Sequence, residues 1–336
     1  MDATYETAVK ELRSGNIYPI YVLYGKENFL KKRMLDDIVK RAVSEDTAEY
    51  NYSVFDGEKS VDDFCDAAES APFFAERRVV TLKDTELSKL PADKSARVAD
   101  IIELCDDALT VIFYYSGDTY KPDKKLGKSI DQKGLIISFD DQSPAKLATW
   151  LRRQAEAAQK QIDDNAVDYI INNCGPSMEH MHNEMAKILS YSRREKITLA
   201  DVKQTAVVTV EAAVFDMTDA LAFGRYERAL NILSELFAQK EQAPAILGAL
   251  SSSIANLYRI KTAISCGVPA QQLQSECKIA PFIVRKLTPV AERTDIKLLR
   301  RWIHSCADAD TRLKSASGMT DKMILETLIF EMLKKG

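Results

Sequence analysis

The chain has 336 residues, of which 46% are hydrophobic and 29% charged, and its formal net charge at pH 7 is −4. This length predicts two or three domains, and the composition is ordinary for a soluble globular protein with a sizeable core. A protein whose whole task is to grip nucleic acid is usually basic, so any contact with nucleic acid should be local or shared with partners.

The N-terminal segment MDATYETAVK is polar and acidic, unlike a signal peptide, and no stretch of about 18 apolar residues follows it. The cysteines are scattered without CxxC spacing, which favours reduced thiols over a disulfide framework or a zinc site: Cys65, Cys105, Cys174, Cys266, Cys277 and Cys306. His180 and His182 are two positions apart in a helical pattern and point to different sides, so no metal is expected there. Together these features predict a cytoplasmic protein without membrane contact.

The first part of the chain alternates strands with helices. Five segments rich in β-branched and aromatic residues predict strands: IYVLY (20–24), NYSVF (51–55), RVVTL (78–82), TVIFYY (110–115) and LIISF (135–139). Helical patterns lie between them, including FLKKRMLDDIVKRAV (29–43) and SVDDFCDAAES (60–70). Apolar strands separated by helices are typical of a mostly parallel sheet covered on both faces, so we predict an α/β domain over residues 1–140.

The rest of the sequence is helical. Ser143 and Pro144 suit a helix N-cap and first position, and Gly175 suits a helix end, within a small helical domain predicted for residues 141–210. A third, all-helical domain is predicted for residues 211–336 from six amphipathic segments: VFDMTDALAF, YERALNILSELFA, PAILGALSSSIANLYRIKTAI, PFIVRKLTPVAE, IKLLRRWIHSCADADTRLK and MILETLIFEML. The last segment is apolar over a broad arc, which fits either a contact between subunits or a place deep in a core.

The segment YPIYVLYGKENFLKK (18–32) has the order strand, Gly-Lys, helix, which is also how phosphate-binding loops are built. Such a loop requires G-x-x-x-x-G-K-[ST], but the position five residues before Gly25 is Ile20, and the residue after Lys26 is Glu27. The strand at 78–82 runs into Lys83, where an acidic pair that holds magnesium would be expected. The sequence thus predicts a degenerate nucleotide site at Gly25 and Lys26, with no cofactor, no metal and no catalytic residues.

Several segments, taken in order, resemble the delta subunit of bacterial DNA polymerase III, the clamp-opening member of the clamp loader. They are YPIYVLYGKENFL, FDGEKSVDDFCDAAESAPFFAERRVV, IDDNAVDYIINNCGPSMEHMHNEMAKILSYS, VFDMTDALAFGRYERALNILSELFAQ, CKIAPFIVRKL and DADTRLKSASG. The resemblance covers essentially the whole chain. It implies an AAA+-like domain, a small helical lid domain and a helical collar domain, in a subunit that does not hydrolyse ATP.

The resemblance also implies partners. They are the sliding clamp (beta), the ATPase (gamma/tau) and delta-prime subunits of the clamp loader, and primed DNA within the complex. Phe73 and Phe74 follow a helix that Pro72 interrupts, and adjacent residues cannot both face one core from a regular element, so at least one should be exposed. Members of the family present a hydrophobic pair at this place to a pocket on the clamp, which implies that Phe73 and Phe74 bind the clamp; the alternative is that both rings plug the core.

Two other functions remain open. One is an active P-loop ATPase of AAA+ type, which the missing G-K-[ST] motif and acidic pair argue against. The other is a stand-alone DNA-binding protein, in which Lys121, Lys124 and Lys125 contact phosphates together with Lys128 and Lys133. A lysine-rich loop is more often simply solvated, and the sequence has no enlarged basic surface from which DNA contacts can be carried over.

Overall fold

A computed structural model describes residues 2–121, 124–175, 177–315 and 318–333, without the side chains of Asp2, Lys124 and Lys125. The chain forms two compact units. The first comprises Met1–Trp150 with Ser177–Glu179, and the second Leu151–Pro176 with His180–Gly336. The division into three domains made from the sequence stays a prediction.

A parallel six-stranded sheet forms the centre of the first unit, with the strand order β1-β6-β2-β5-β4-β3. Its strands are β1 (Asp2–Ala3), β2 (Ile20–Gly25), β3 (Tyr52–Asp56), β4 (Arg78–Lys83), β5 (Leu109–Tyr114) and β6 (Gly134–Phe139). The five predicted strands are confirmed, and each of their ends agrees with the prediction to within one residue. The two-residue β1, which pairs with β6, was not predicted because it is too short to show a pattern.

Helices cover both faces of this sheet. The helices that begin within residues 1–150 are α1 (Tyr5–Arg13), α2 (Asn28–Ala42), α3 (Ala48–Asn51), α4 (Val61–Glu69), α5 (Ala92–Leu104), α6 (Lys124–Lys133) and α7 (Pro144–Ala157). Alternate residues of β2 face opposite sides: Ile20 and Val22 pack in one core with Phe64 of α4 and Val98 of α5, whereas Tyr21 is buried on the other side. Because both faces are apolar and covered, the predicted α/β architecture is confirmed.

The second unit is almost entirely helical. It contains the short parallel pair β7 (Gln161–Ile162) and β8 (Lys196–Ile197). Its helices are α8 (Asp164–Asn173), α9 (Met178–Tyr191), α10 (Leu199–Thr205), α11 (Val210–Ala222), α12 (Tyr226–Ala238), α13 (Ala243–Ser265), α14 (Leu273–Cys277), α15 (Pro281–Arg293), α16 (Ile296–Lys314) and α17 (Asp321–Leu333). One hydrophobic core joins α11 to α17, and the indole N–H of the buried Trp302 donates to the Met332 carbonyl at 2.8 Å.

The apolar breadth of α17 is largely explained by this core. Five of its residues are buried in the second unit itself: Ile324, Leu325, Leu328, Ile329 and Met332. Met323 and Phe330 are exposed. Across the described residues, no helix combines the length and apolar character needed to cross a membrane.

Candidate functional site

The carboxyl ends of β2 and β5 define the crevice where a nucleotide would be expected. These neighbouring strands are followed by α2 and α6, which pack on opposite faces of the sheet. In parallel α/β sheets, ligands bind at the point where consecutive connections leave toward opposite faces. The turn that contains Lys26 lies at this point, directly after β2.

The turn between β2 and α2 is too short to wrap around phosphates. Only Lys26 and Glu27 separate Gly25, the last residue of the strand, from the helix. Gly25 has φ +123°, and a Cβ atom there would lie 2.3 Å from the Phe139 carbonyl oxygen. The Gly25 N–H donates to the Gly117 carbonyl at 3.1 Å, and the Glu27 N–H donates to the Phe139 carbonyl at 2.9 Å. These amides are therefore committed to the fold rather than to a ligand.

Glu27 occupies the anion position at the start of α2. Its carboxylate accepts a hydrogen bond from the Phe29 N–H at 3.1 Å, and the residue is only 9% exposed. Burial raises the pKa of Glu27 above the usual range, although the hydrogen bond from Phe29 opposes this shift. A helix N-terminus attracts anions, and here the chain supplies its own carboxylate in the place of a phosphate.

Lys31 fills the crevice between the two strands. Its side chain is fully buried, and Nζ donates to the carbonyl oxygens of Gly25 at 2.7 Å, Tyr115 at 2.6 Å and Ser116 at 3.3 Å. Burial lowers the pKa of Lys31, and the carboxylates of Asp84 and Glu27 oppose this shift. The ammonium group thus joins the end of β2 to the segment after β5, at the sheet edge where a ligand would be expected.

The sequence did not single out Lys31, although it carried a signal. The residue lies three and four positions before Met34 and Leu35, so it falls on the buried stripe of α2. A lysine on an apolar stripe must find acceptors, because a buried ammonium without partners is very costly. The predicted site lysine, Lys26, is instead exposed, with Nζ 3.9 Å from Asp118 Oδ2.

The position after β4 carries a carboxylate that serves the fold. Lys83, which was predicted to follow the strand, is its last residue, and its ammonium lies 5.4 Å from the centre of the Tyr114 ring. Asp84 follows with φ +45°, and it accepts hydrogen bonds from the Ser116 N–H at 2.6 Å and the Ser116 hydroxyl at 2.7 Å. In the part of the chain that the structure describes, no three His, Cys, Asp or Glu residues form a group that could hold a metal ion.

A second candidate site lies on the link between α4 and β4. Phe73 is 50% exposed and Phe74 is 86% exposed, which confirms the expectation that at least one ring lies on the surface. Their ring centroids are 4.6 Å apart with an interplanar angle of 85°. Tyr50, 56% exposed, lies 5.2 Å from the Phe73 ring. We call these three side chains the aromatic surface.

The backbone at this link is strained and specifically held. Phe74 has φ +48°, a left-handed conformation that is uncommon for a bulky residue and that persists only where neighbouring contacts fix it. The buried side chain of Asn51 bonds to both backbone polar groups of Phe73. The Arg78 guanidinium donates to the Ala71 carbonyl at 3.3 Å. Strain together with exposed aromatic side chains is a feature of binding sites rather than of cores.

The lysines proposed for DNA contact are only partly described. Lys121 is exposed and borders a shallow depression with Asp84 and Glu86. Lys124 and Lys125 begin α6, but their side chains lie outside the described residues. Lys133 is engaged by the fold, because its ammonium donates to the Glu103 carbonyl at 2.7 Å. DNA contact by Lys121, Lys124 and Lys125 stays a prediction.

In the part of the chain that the structure describes, His180 and His182 belong to no group of residues that could hold a metal ion. His180 Nε2 lies 3.6 Å from the carboxylate of Glu184 on the same helix. That buried carboxylate also binds the Lys187 ammonium at 2.7 Å and accepts a hydrogen bond from the Val207 N–H at 3.0 Å. Glu184 therefore ties α9 to the chain that leads into α11.

The fold and these two sites define a class of protein: an α/β domain with a parallel sheet, whose own side chains lie where a ligand would be expected, followed by a helical C-terminal region. The family description "DNA polymerase III, delta subunit" matches residues 21–140, and "DNA polymerase III delta subunit, C-terminal domain" matches residues 211–332.

Individual proteins agree with these matches. The chain is 26% identical to DNA polymerase III subunit delta of Bacillus subtilis over 336 residues, which covers 97% of this chain and 96% of that protein. It is 24% identical to a probable DNA polymerase III subunit delta of Aquifex aeolicus over 252 residues, 72% of this chain and 70% of that protein. The structure of the Bacillus subtilis DNA clamp loader delta protein superposes with a TM-score of 0.77 at 24% identity, covering 98% of this chain and all of that one. The chain belongs to the DNA polymerase III delta subunit family.

Proposed function

We propose that this chain is the subunit of a bacterial clamp loader that binds and opens the sliding clamp, and that it does so without hydrolysing ATP. Family membership supports the role in the loader. The observation that carries the proposal is the aromatic surface, in which a strained backbone presents two phenylalanines to solvent. Such a pair suits a hydrophobic pocket on the clamp.

The expected contribution of the pair follows from its exposure. Phe74 is 86% exposed and Phe73 50%. If each side chain offers about 200 Å², their burial removes roughly 270 Å² from water and contributes about 7 kcal/mol before the costs of association. Truncating both rings should therefore weaken clamp binding by about 3–4 kcal/mol, or two to three orders of magnitude.

Opening the ring requires more than affinity. The pair must have a higher affinity for a clamp with a distorted subunit interface than for a closed clamp. A ligand shifts an equilibrium only by the difference between its affinities for the two states.

The role of ATP lies with the partner subunits in this proposal. Glu27 and Lys31 lie at the nucleotide position of this chain, which supports ATP binding by the partner subunits instead. The same two residues disfavour the alternative of an active ATPase.

We further propose that residues 211–336 join the other loader subunits, the ATPase (gamma/tau) and delta-prime chains, and that residues 141–210 form the lid domain. Met323 and Phe330 are exposed apolar residues on α17, and they offer a surface for this assembly. As a replication subunit the chain would act in the cytoplasm and meet primed DNA within the complex.

A paired experiment tests the two surfaces. Clamp affinity is measured by surface plasmon resonance, and loader assembly by size-exclusion chromatography, for wild type, Phe73→Ala with Phe74→Ala, and Phe330→Ala. The double variant should lose most clamp binding, assemble normally and melt like wild type. Phe330→Ala removes another exposed ring, and it should bind the clamp normally and assemble more weakly.

Two results would contradict the proposal. Unchanged clamp affinity in the double variant would show that Phe73 and Phe74 do not bind the clamp. A large fall in the melting temperature of the double variant would show that both rings belong to the core.

A further assay in the same samples tests opening of the clamp. Wild type should speed the release of clamps from circular DNA, and the double variant should not.

A further inference from the structure

Asn51 is a buried amide with an uncommon set of partners. It ends α3, directly before the edge strand β3. Its Oδ1 accepts a hydrogen bond from the Phe73 N–H at 2.7 Å, and its Nδ2 donates to the Phe73 carbonyl at 2.8 Å and to the Thr47 carbonyl at 3.0 Å. Both Nδ2 hydrogens and one oxygen lone pair are therefore used. Because the side chain bonds to both polar groups of one residue, it fixes the position and the rotation of Phe73.

The residue before Asn51 extends the same arrangement. The Tyr50 ring lies 5.2 Å from the Phe73 ring with an interplanar angle of 48°, and Phe73 contacts Phe74 in turn. The three rings form one row, all at least half exposed. Consecutive residues of α3 thus hold Phe73 in two ways: Asn51 through the backbone, and Tyr50 through the ring.

We infer that α3 is a platform that sets the Phe73–Phe74 pair in its binding conformation before the clamp arrives, with Asn51 as a positioning residue and Tyr50 as a third ring in the contact. The inference rests on the proposed clamp binding. If the link between α4 and β4 sampled other conformations, only a fraction of the molecules could bind the clamp at any moment. The apparent affinity for the clamp would be lower in proportion to that fraction. The left-handed Phe74 needs such support, because an unrestrained link would leave that conformation.

Substitutions of Asn51 test the positioning role. Asn51→Leu keeps a side chain of similar size but leaves the Phe73 amide and carbonyl unpaired, and should weaken clamp binding about 10- to 100-fold, mainly through slower association. In Asn51→Asp, a carboxylate faces the Phe73 carbonyl at neutral pH, whereas a protonated carboxyl can accept from the Phe73 N–H and donate its one hydrogen to the Phe73 carbonyl, leaving only the bond to Thr47 unmade. Its affinity relative to wild type should therefore recover as the pH falls from 7.5 toward 5, and that of Asn51→Leu should not.

Tyr50→Ala tests the third ring. It should weaken clamp binding about tenfold through faster dissociation, because it removes contact area and leaves the backbone of Phe73 held by Asn51.

A measurement without clamp separates this inference from the proposed function. Hydrogen exchange of the Phe73 amide in the free chain should be at least tenfold faster in Asn51→Leu than in wild type. If Phe73→Ala with Phe74→Ala loses clamp binding but Asn51→Leu and Tyr50→Ala bind like wild type, the platform is refuted and the proposed function stands. If the double phenylalanine variant binds normally, the proposed function fails, and unchanged Phe73 exchange in Asn51→Leu would separately refute the positioning role. If Asn51→Leu does not fold, the clamp affinity of Asn51→Asp between pH 7.5 and 5 tests the positioning role instead. An affinity that does not recover as the pH falls would refute that role.

Discussion

Replacing Lys31 with methionine should destabilise the first unit strongly. The substitution keeps the length and apolar stem of the side chain but removes the ammonium, which leaves the carbonyls of Gly25, Tyr115 and Ser116 without that donor in a buried site. Each buried carbonyl that loses its partner costs about 1–3 kcal/mol. Relief from burying a charge offsets part of this cost, and the lowered pKa of Lys31 reflects that burial.

We expect a net loss of roughly 3 kcal/mol for Lys31→Met. For a unit of this size the loss corresponds to a fall in melting temperature of about 6–12 °C. Lys26→Met is the matched control, because Lys26 is an exposed lysine beside the same crevice. Its effect should stay within about 0.5 kcal/mol. Differential scanning calorimetry of the two variants and wild type measures both values.

The same samples test whether the crevice accepts nucleotide. A ligand at 100 times its dissociation constant would stabilise the fold by about 2.7 kcal/mol. Magnesium-ATP should leave the melting temperature of wild type unchanged, since Lys31 and Glu27 occupy the positions that phosphates would take. A clear upward shift, or a Lys31→Met variant as stable as wild type, would refute the account of a crevice filled by the chain's own groups.

Two further predictions concern titratable groups. Burial raises the pKa of Glu27, so between the unfolded and the folded pKa values the folded chain binds more protons than the unfolded chain; the stability that this contributes is complete below pH 4.5 and disappears as the pH rises through the raised pKa. Glu27→Gln should therefore gain stability relative to wild type between pH 4.5 and 7 in urea titrations, and a constant difference would contradict this. Among the thiols, a maleimide reagent should label the exposed Cys266 first, because Cys105 and Cys174 are buried and burial raises the pKa of each to about 12. Mass spectrometry of the native chain showing equal labelling of all three would refute this.

Much of the α/β unit could be predicted because its strands carry a strong local signal. The segment 20–24 is apolar at nearly every position, which occurs where both faces of a strand are covered, and it became β2. The prediction of a degenerate phosphate loop rested on the residues beside Gly25, and it stays a prediction. The role of Lys31 could not be predicted from local sequence patterns. Its ammonium donates to the carbonyl of Tyr115, which is 84 positions away along the chain.

The aromatic surface was only partly predictable. Adjacent phenylalanines after Pro72 implied that one ring would be exposed, yet two exposed rings and a left-handed Phe74 run against the usual preferences of this residue type. Asn51 was assigned to a strand, but it closes a short helix and contributes through a contact with Phe73, 22 positions away. Positions that depart from local preference are expected where function sets the structure.

On the proposed function, the short turn after Gly25 would make nucleotide binding hard to acquire. Glu27→Thr would restore a hydroxyl, but no substitution lengthens a connection in which two residues join strand to helix. Gly25 itself is pressed against the Phe139 carbonyl, and Lys31 stands in the crevice. Conversion of this turn to a phosphate-binding loop would need several inserted residues together with the removal of a buried lysine. Point substitutions alone would therefore not build a phosphate-binding loop at this place in the fold.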